Sequence, residues 1–258
     1  MRAKLYKISV LLLICLALNK ILISCEEKNK SLDFIRGKQL KVDSSLSDNP
    51  EIQKLVEPYK VKLDSEINTP LCYNPRSLTK KESELESSLG NLLADECFVA
   101  GDSILRSVKG RGIDFAVFNY GGLRAPLDEG MITIEDIYQL MPFENRLVIV
   151  ELKPEDVREL LLYLARQKSA HPISGIRMKI GNDNAEEVTI NGNELDPSSN
   201  YYVLTIDYLQ HGGGNMTFLT DPEYLYVSDL KVRDVLISGL SKKDTLRASL
   251  DGRLSEMR

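Results

Sequence analysis

Asp114-Phe115-Ala116-Val117-Phe118-Asn119-Tyr120-Gly121-Gly122-Leu123-Arg124 is the stretch on which the reading of this 258-residue chain turns. Its apolar first half predicts a short buried strand that enters a tight loop at Asn119. The paired glycines, Gly121 and Gly122, predict positive φ and a backbone that a ligand can approach closely. Arg124 adds a planar fork of donors suited to carboxylate or phosphate. Taken alone, the same residues also describe an ordinary turn beside a solvated arginine, and the rest of the chain must decide between the two.

Toward the C-terminus, Thr133 to Met141 reads as a helix, with Thr133 as N-cap and Asp136 three residues on. Leu147 to Leu152 reads as a strand, and Lys153-Pro154 opens a helix through about Arg166. Ile176 to Ile180 and Val188 to Ile190 are short strands around a polar turn. Tyr201 to Ile206 is a strand leading past Tyr208 into a second glycine loop, His211-Gly212-Gly213-Gly214-Asn215, which is either a flexible turn or a ligand loop. Val232 to Leu240 reads as a closing helix before a charged tail. Toward the N-terminus, Glu84 to Ala94 is an amphipathic helix through Leu85, Leu89, Leu92 and Leu93. Ile52, Leu55, Val56 and Tyr59 recur at helical spacing up to a limit or kink at Pro58. The mixture, without repeats, predicts one α+β domain over residues 50–258, with short sheets flanked by helices.

The first 25 residues read as targeting. Arg2, Lys4 and Lys7 precede an apolar run from Ile8 to Leu18, too short to span a bilayer but suited to a secretory signal. Leu22-Ile23-Ser24-Cys25 resembles the bacterial lipobox, so Cys25 is expected to carry lipid and hold the chain to a membrane of the cell envelope; Asn19 and Lys20 interrupt the apolar stretch, and the alternative is a plain signal peptide with an incidental cysteine. Residues 26–49, rich in Lys, Ser and Asp, read as a polar tether. Cys72 and Cys97 remain in the mature part, either paired or as buried small hydrophobes.

A net charge of −5 argues against a nucleic-acid polymer as partner, because phosphate neutralisation needs a clustered basic face. It leaves room for one small anionic ligand. Only two histidines, His171 and His211, are present, and neither has a neighbour at metal-ligand spacing. No Gly-x-Ser-x-Gly elbow occurs either. The expectation is no metal site, no cofactor and no catalytic residue in this chain.

The order Asn119-x-Gly121-Gly122-x-Arg124, then a helix ending in Met141-Pro142-Phe143, then an aromatic before a glycine loop resembles the C-terminal domain of the 5'-nucleotidase and UDP-sugar hydrolase family. Glu86-Ser87-Ser88-Leu89-Gly90-Asn91-Leu92 is similar to that family's Glu-x-x-Leu-Gly-Asn-Leu helix. The resemblance runs from about residue 50 to 240. It implies a domain that sandwiches a base between two rings, here Phe143 and Tyr208, while a separate metallophosphoesterase domain with two divalent metals cuts the ester. Asn119 and Arg124 would contact sugar or phosphate-side groups, and Gly121, Gly122, Gly213 and Asn215 complete the expected substrate-binding set.

Two positions depart from the family pattern. The arginine expected before the Glu86 helix is replaced around Ser83 and Leu85, and the loop aspartate is Gly214. The resemblance therefore implies the nucleotide- or nucleoside-recognising half of a split hydrolase in nucleotide catabolism, partnered by a separate metallophosphoesterase chain. Alternatives are a stand-alone nucleoside- or nucleotide-binding lipoprotein and a degenerate interaction scaffold.

Overall fold

The computed structural model describes residues 34–257, together with Val10 and Ile14. Cys25 and most of the expected signal segment lie outside the described residues. The chain divides into two compact units, Met1–Gln53 and Lys54–Arg258. In the first, residues 34–49 hold no helix or strand, and Asp43 closes a turn by accepting from the Ser45 N–H at 3.0 Å. Asn49 Oδ1 accepts from the Glu51 N–H at 2.9 Å where the first helix begins.

The helices are α1 (Pro50–Ile67), α2 (Ser88–Lys109), α3 (Ile134–Leu140), α4 (Pro154–Gln167), α5 (Asp207–Gln210) and α6 (Val232–Leu240). The strands are β1 (Pro70–Asn74), β2 (Phe115–Val117), β3 (Gly130–Thr133), β4 (Arg146–Leu152), β5 (Ile173–Ser174) and β6 (Ile176–Gly181). They continue with β7 (Asn184–Ile190), β8 (Asn193–Glu194), β9 (Tyr201–Ile206), β10 (Tyr224–Lys231) and β11 (Leu254–Glu256). The result is the α+β domain expected from the sequence, with short sheets flanked by helices.

The central sheet runs β10-β4-β9-β2-β5. β2 and β9 are parallel neighbours, with Phe115 beside Val203, and β4 runs antiparallel to β9, with Leu147 opposite Ile206. The C-terminal ends of β2 and β9 and the start of β4 therefore lie at one edge of the sheet. Fully buried Phe115, Leu147, Ile149 and Leu204 form the core with Leu89, Leu93 and Leu105 of α2. Helix and sheet approach closely at Gly101, where a Cβ would fall 2.7 Å from the Leu204 methyl groups.

Several boundaries differ from the sequence reading. The helix expected over Glu84 to Ala94 begins at Ser88, because Ser87 caps it by accepting from the Gly90 N–H at 3.0 Å, and it continues to Lys109. Pro58 does not end α1, which passes through it. No residue of α1 is buried, so the carbonyl that Pro58 cannot bond is left to water. The charged tail expected after Leu240 packs onto the domain and contributes a strand. Leu246 N–H bonds the Tyr73 carbonyl at 2.8 Å, and β11 adds to β6 in parallel. Arg253, with its side chain 10% exposed, grips Asp95 of α2 through two bonds of 2.7 Å. Cys72 and Cys97 are buried free thiols, and burial pushes both thiols up.

Candidate functional site

Three loops leave the same edge of the central sheet, and each carries residues singled out in the sequence. After β2, Tyr120–Gly122 make a single 3-10 turn, with the Gly122 N–H donating to the Asn119 carbonyl at 3.0 Å. Neither Gly121 nor Gly122 adopts positive φ, contrary to expectation. Their role is space. A Cβ on either would come within 3.3 Å of the Asn119 amide, which has no protein partner among the described residues. The Arg124 N–H bonds the Leu140 carbonyl at 2.9 Å, fixing this loop to the end of α3.

The second loop follows α3, whose N-terminus carries the expected Thr133–Asp136 capping box. Met141 turns into the core, and Phe143 is left 38% exposed just before β4. The Arg124 guanidinium stands 5.9 Å from the Phe143 ring centroid. Next to Phe143, the Glu144 carboxylate accepts from Lys231 and Arg233, which hold it down to about 2. This ties the Phe143 loop to the start of α6.

The third loop follows β9. Tyr208 lies on the single turn α5 and is 49% exposed. Gly212 and Gly214 have φ of +85° and +64°, and Asn215 follows at +61°. At Gly213 a Cβ would lie 2.5 Å from both the Tyr208 carbonyl and its ring, so only glycine lets this loop fold against the tyrosine. The Gly214 N–H donates to the Tyr208 hydroxyl at 3.3 Å. A Cβ on Gly214 would sit 4.0 Å from that of Asn119, which places the two glycine loops side by side. The Asn215 side chain is exposed and without a protein partner among the described residues.

Three residues missed from sequence hold this arrangement. His171 is buried, and its Nδ1 lies 3.2 Å from both the Tyr120 N–H and the Phe118 carbonyl. The Tyr163 ring packs at 5.5 Å from the His171 ring, and its hydroxyl donates to the Gly214 carbonyl at 2.9 Å. Burial lowers the His171 pKa and raises that of Tyr163. Lys80 donates to the Leu123 carbonyl at 2.6 Å. Tyr163 interrupts a leucine run and His171 precedes a proline, but neither signal says what the side chain meets.

The two departures resolve differently. Ser83 is spent locally on Glu86, donating to its carbonyl at 2.7 Å, while Leu85 is core. Gly214 belongs to the site but offers only backbone. His211 Nδ1 is occupied by the Asp207 carbonyl at 2.7 Å. No group of three or more His, Cys, Asp or Glu side chains is placed to hold a metal among the described residues. A concavity of about 780 Å³ lies elsewhere, between α2 and α6, lined by Val99, Ala100, Leu230 and Val235.

Residues 66–221 match the family described as 5'-nucleotidase, C-terminal domain. This chain belongs to that family. The matched span contains every loop of the candidate site. Protein UshA of Yersinia enterocolitica is 25% identical to this nucleotidase-type domain over 213 residues, covering 79% of this chain and 36% of that protein. The trifunctional nucleotide phosphoesterase protein YfkN of Bacillus subtilis is 23% identical over 246 residues, covering 84% of this chain and 16% of its own. The chain thus spans about a third or less of the length of these relatives. The fold matches the 5'-nucleotidase precursor of Thermus thermophilus with a TM-score of 0.66 at 22% identity, over 80% of this chain and 43% of that one.

Proposed function

We propose that this 5'-nucleotidase C-terminal domain recognises a nucleotide or nucleoside and leaves ester cleavage to a metallophosphoesterase on a separate chain. What supports this reading is that the three loops leaving one end of the central sheet carry two partly exposed rings, Phe143 and Tyr208, with the Arg124 guanidinium 5.9 Å from the Phe143 ring centroid and the Asn119 and Gly214 loops side by side. The rings stack on the base, the Asn119 and Asn215 amides bond the sugar hydroxyls, and Arg124 faces the phosphate side. Any divalent metals belong to the partner. Lipid on Cys25 holds the chain to a membrane of the bacterial envelope, consistent with the bacterial relatives. No helix among the described residues is long and apolar enough to cross a membrane.

The test is calorimetric titration of the full chain in detergent with adenosine and AMP, beside Phe143→Ala. Stacking on one ring is worth about 1–3 kcal/mol, so the variant should lose roughly five- to 150-fold in affinity. No saturable binding of either ligand by the unmodified chain would sink the reading and leave a scaffold. Phosphate release from AMP appearing only when the metallophosphoesterase chain is added would establish the split enzyme.

A further inference from the structure

The Asn119–Arg124 loop is flanked by two cations. A pair of bonds between Leu78 and Leu127, of 2.8 and 3.0 Å, fixes the segment that carries Lys80. The Lys80 Nζ donates to the Leu123 carbonyl at 2.6 Å and stands 4.5 Å from the Tyr120 ring centroid. Arg124 follows Leu123 directly, and its guanidinium lies over the Phe143 ring. Among the described residues neither cation has a carboxylate at ion-pair distance, although acidic side chains outnumber basic ones in this chain. Lys80 is half-buried, and burial first and the Arg124 charge second lower its affinity for a proton. Two like charges, one beside the partly buried Tyr120 ring and one beside the exposed Phe143 ring, repel one another, and an anion seated between them relieves that repulsion. An ammonium has three donors, and the Leu123 carbonyl takes one.

We propose that Lys80 is the selectivity-determining residue of this site: with Arg124 it holds the phosphate of a nucleotide whose base lies at Phe143 and Tyr208. The site then prefers a nucleoside monophosphate to the nucleoside. Lys80 comes from the segment after β1, outside the three loops that the motifs mark. This inference rests on the ligand reading above.

The experiment titrates the full chain with AMP, adenosine and inorganic phosphate. The unmodified chain should bind AMP more tightly than adenosine, and inorganic phosphate should displace AMP but not adenosine. Lys80→Gln should weaken AMP about tenfold while leaving adenosine within about twofold, and Lys80→Arg should keep the preference. Lys62→Gln, which removes one charge from exposed α1, should change neither ligand. Equal weakening of both ligands by Lys80→Gln would reduce Lys80 to a support of the loop and overturn the proposal. So would an unchanged AMP affinity or a failure of phosphate to displace AMP, either of which leaves the base site standing. Binding of neither AMP nor adenosine by the unmodified chain would instead remove the ligand reading itself.

Discussion

The Tyr163 hydroxyl donates to the Gly214 carbonyl at 2.9 Å, so one side chain of α4 holds the glycine loop that follows β9. The same ring packs on His171, whose Nδ1 meets the N–H of Tyr120 in the other glycine loop. Neither Tyr163 nor His171 belongs to the loops, yet between them they reach both.

Tyr163→Phe keeps the packing on His171 and Phe218 and removes only the hydroxyl bond. The expected stability loss is about 1 kcal/mol, read from the urea midpoint. A larger effect is expected on ligand affinity, because the Gly214 loop is then free to leave the Tyr208 ring. Equal affinity of variant and parent would show that the loop needs no such anchor.

His171 gives stability a defined pH dependence. Burial holds its pKa below the ordinary value of about 6.5, with the Phe118 carbonyl acting weakly in the other direction. Between the two values the unfolded chain binds the proton and the folded chain does not. Stability therefore falls as pH drops below about 6.5 and levels off once the folded form also protonates. Melting temperatures of the parent should fall between about pH 7.5 and 5.5, and His171→Asn should flatten that slope.

The neighbouring glycines differ in what they tolerate. Gly214→Ala meets the Leu209 methyl at 3.4 Å and the Asn119 Cβ at 4.0 Å, both ordinary contacts, and its cost comes from φ of +64°, about 1–2 kcal/mol. Gly213→Ala drives a Cβ to 2.5 Å from a backbone oxygen and from the Tyr208 ring. It should cost about 2–3 kcal/mol by urea denaturation and displace Tyr208, with a matching loss of ligand binding.

Arg253 uses all five of its N–H donors, on Asp95, Asp251 and the Ile173 carbonyl. Arg253→Met leaves Asp95 without its cation. Because Asp95 is about half exposed, the expected loss is about 1–3 kcal/mol, less than for a fully buried pair. Hydrogen exchange should then show β11 opening ahead of the central sheet.

Some of this was legible in sequence because the signal is local. Thr133 and Asp136 sit one helical turn apart, Pro154 starts α4, and Tyr201 to Ile206 is an apolar strand interrupted only by Thr205. Other parts were hidden because their partners are distant in sequence. Arg253 reads in sequence as one charge of a tail, because its partner Asp95 of α2 lies 158 residues away along the chain. β10 is an edge strand whose Leu225 and Val227 face solvent, which weakens the usual alternation. The glycine loops were visible as loops, but Gly121 and Gly122 serve the Asn119 amide through space, not positive φ. Lys80 carried no motif at all.

The parallel pairing of β2 with β9 has a kinetic consequence. These strands are remote in the chain, with β3 to β8 lying between them in sequence. No hairpin or helical fragment can display the site, so it comes into being only with the long-range closure that limits the folding rate of such topologies. A ligand added during refolding would bind on the slow phase, after the helical signal has recovered. Captured at that moment, it would draw the population toward the closed sheet by mass action.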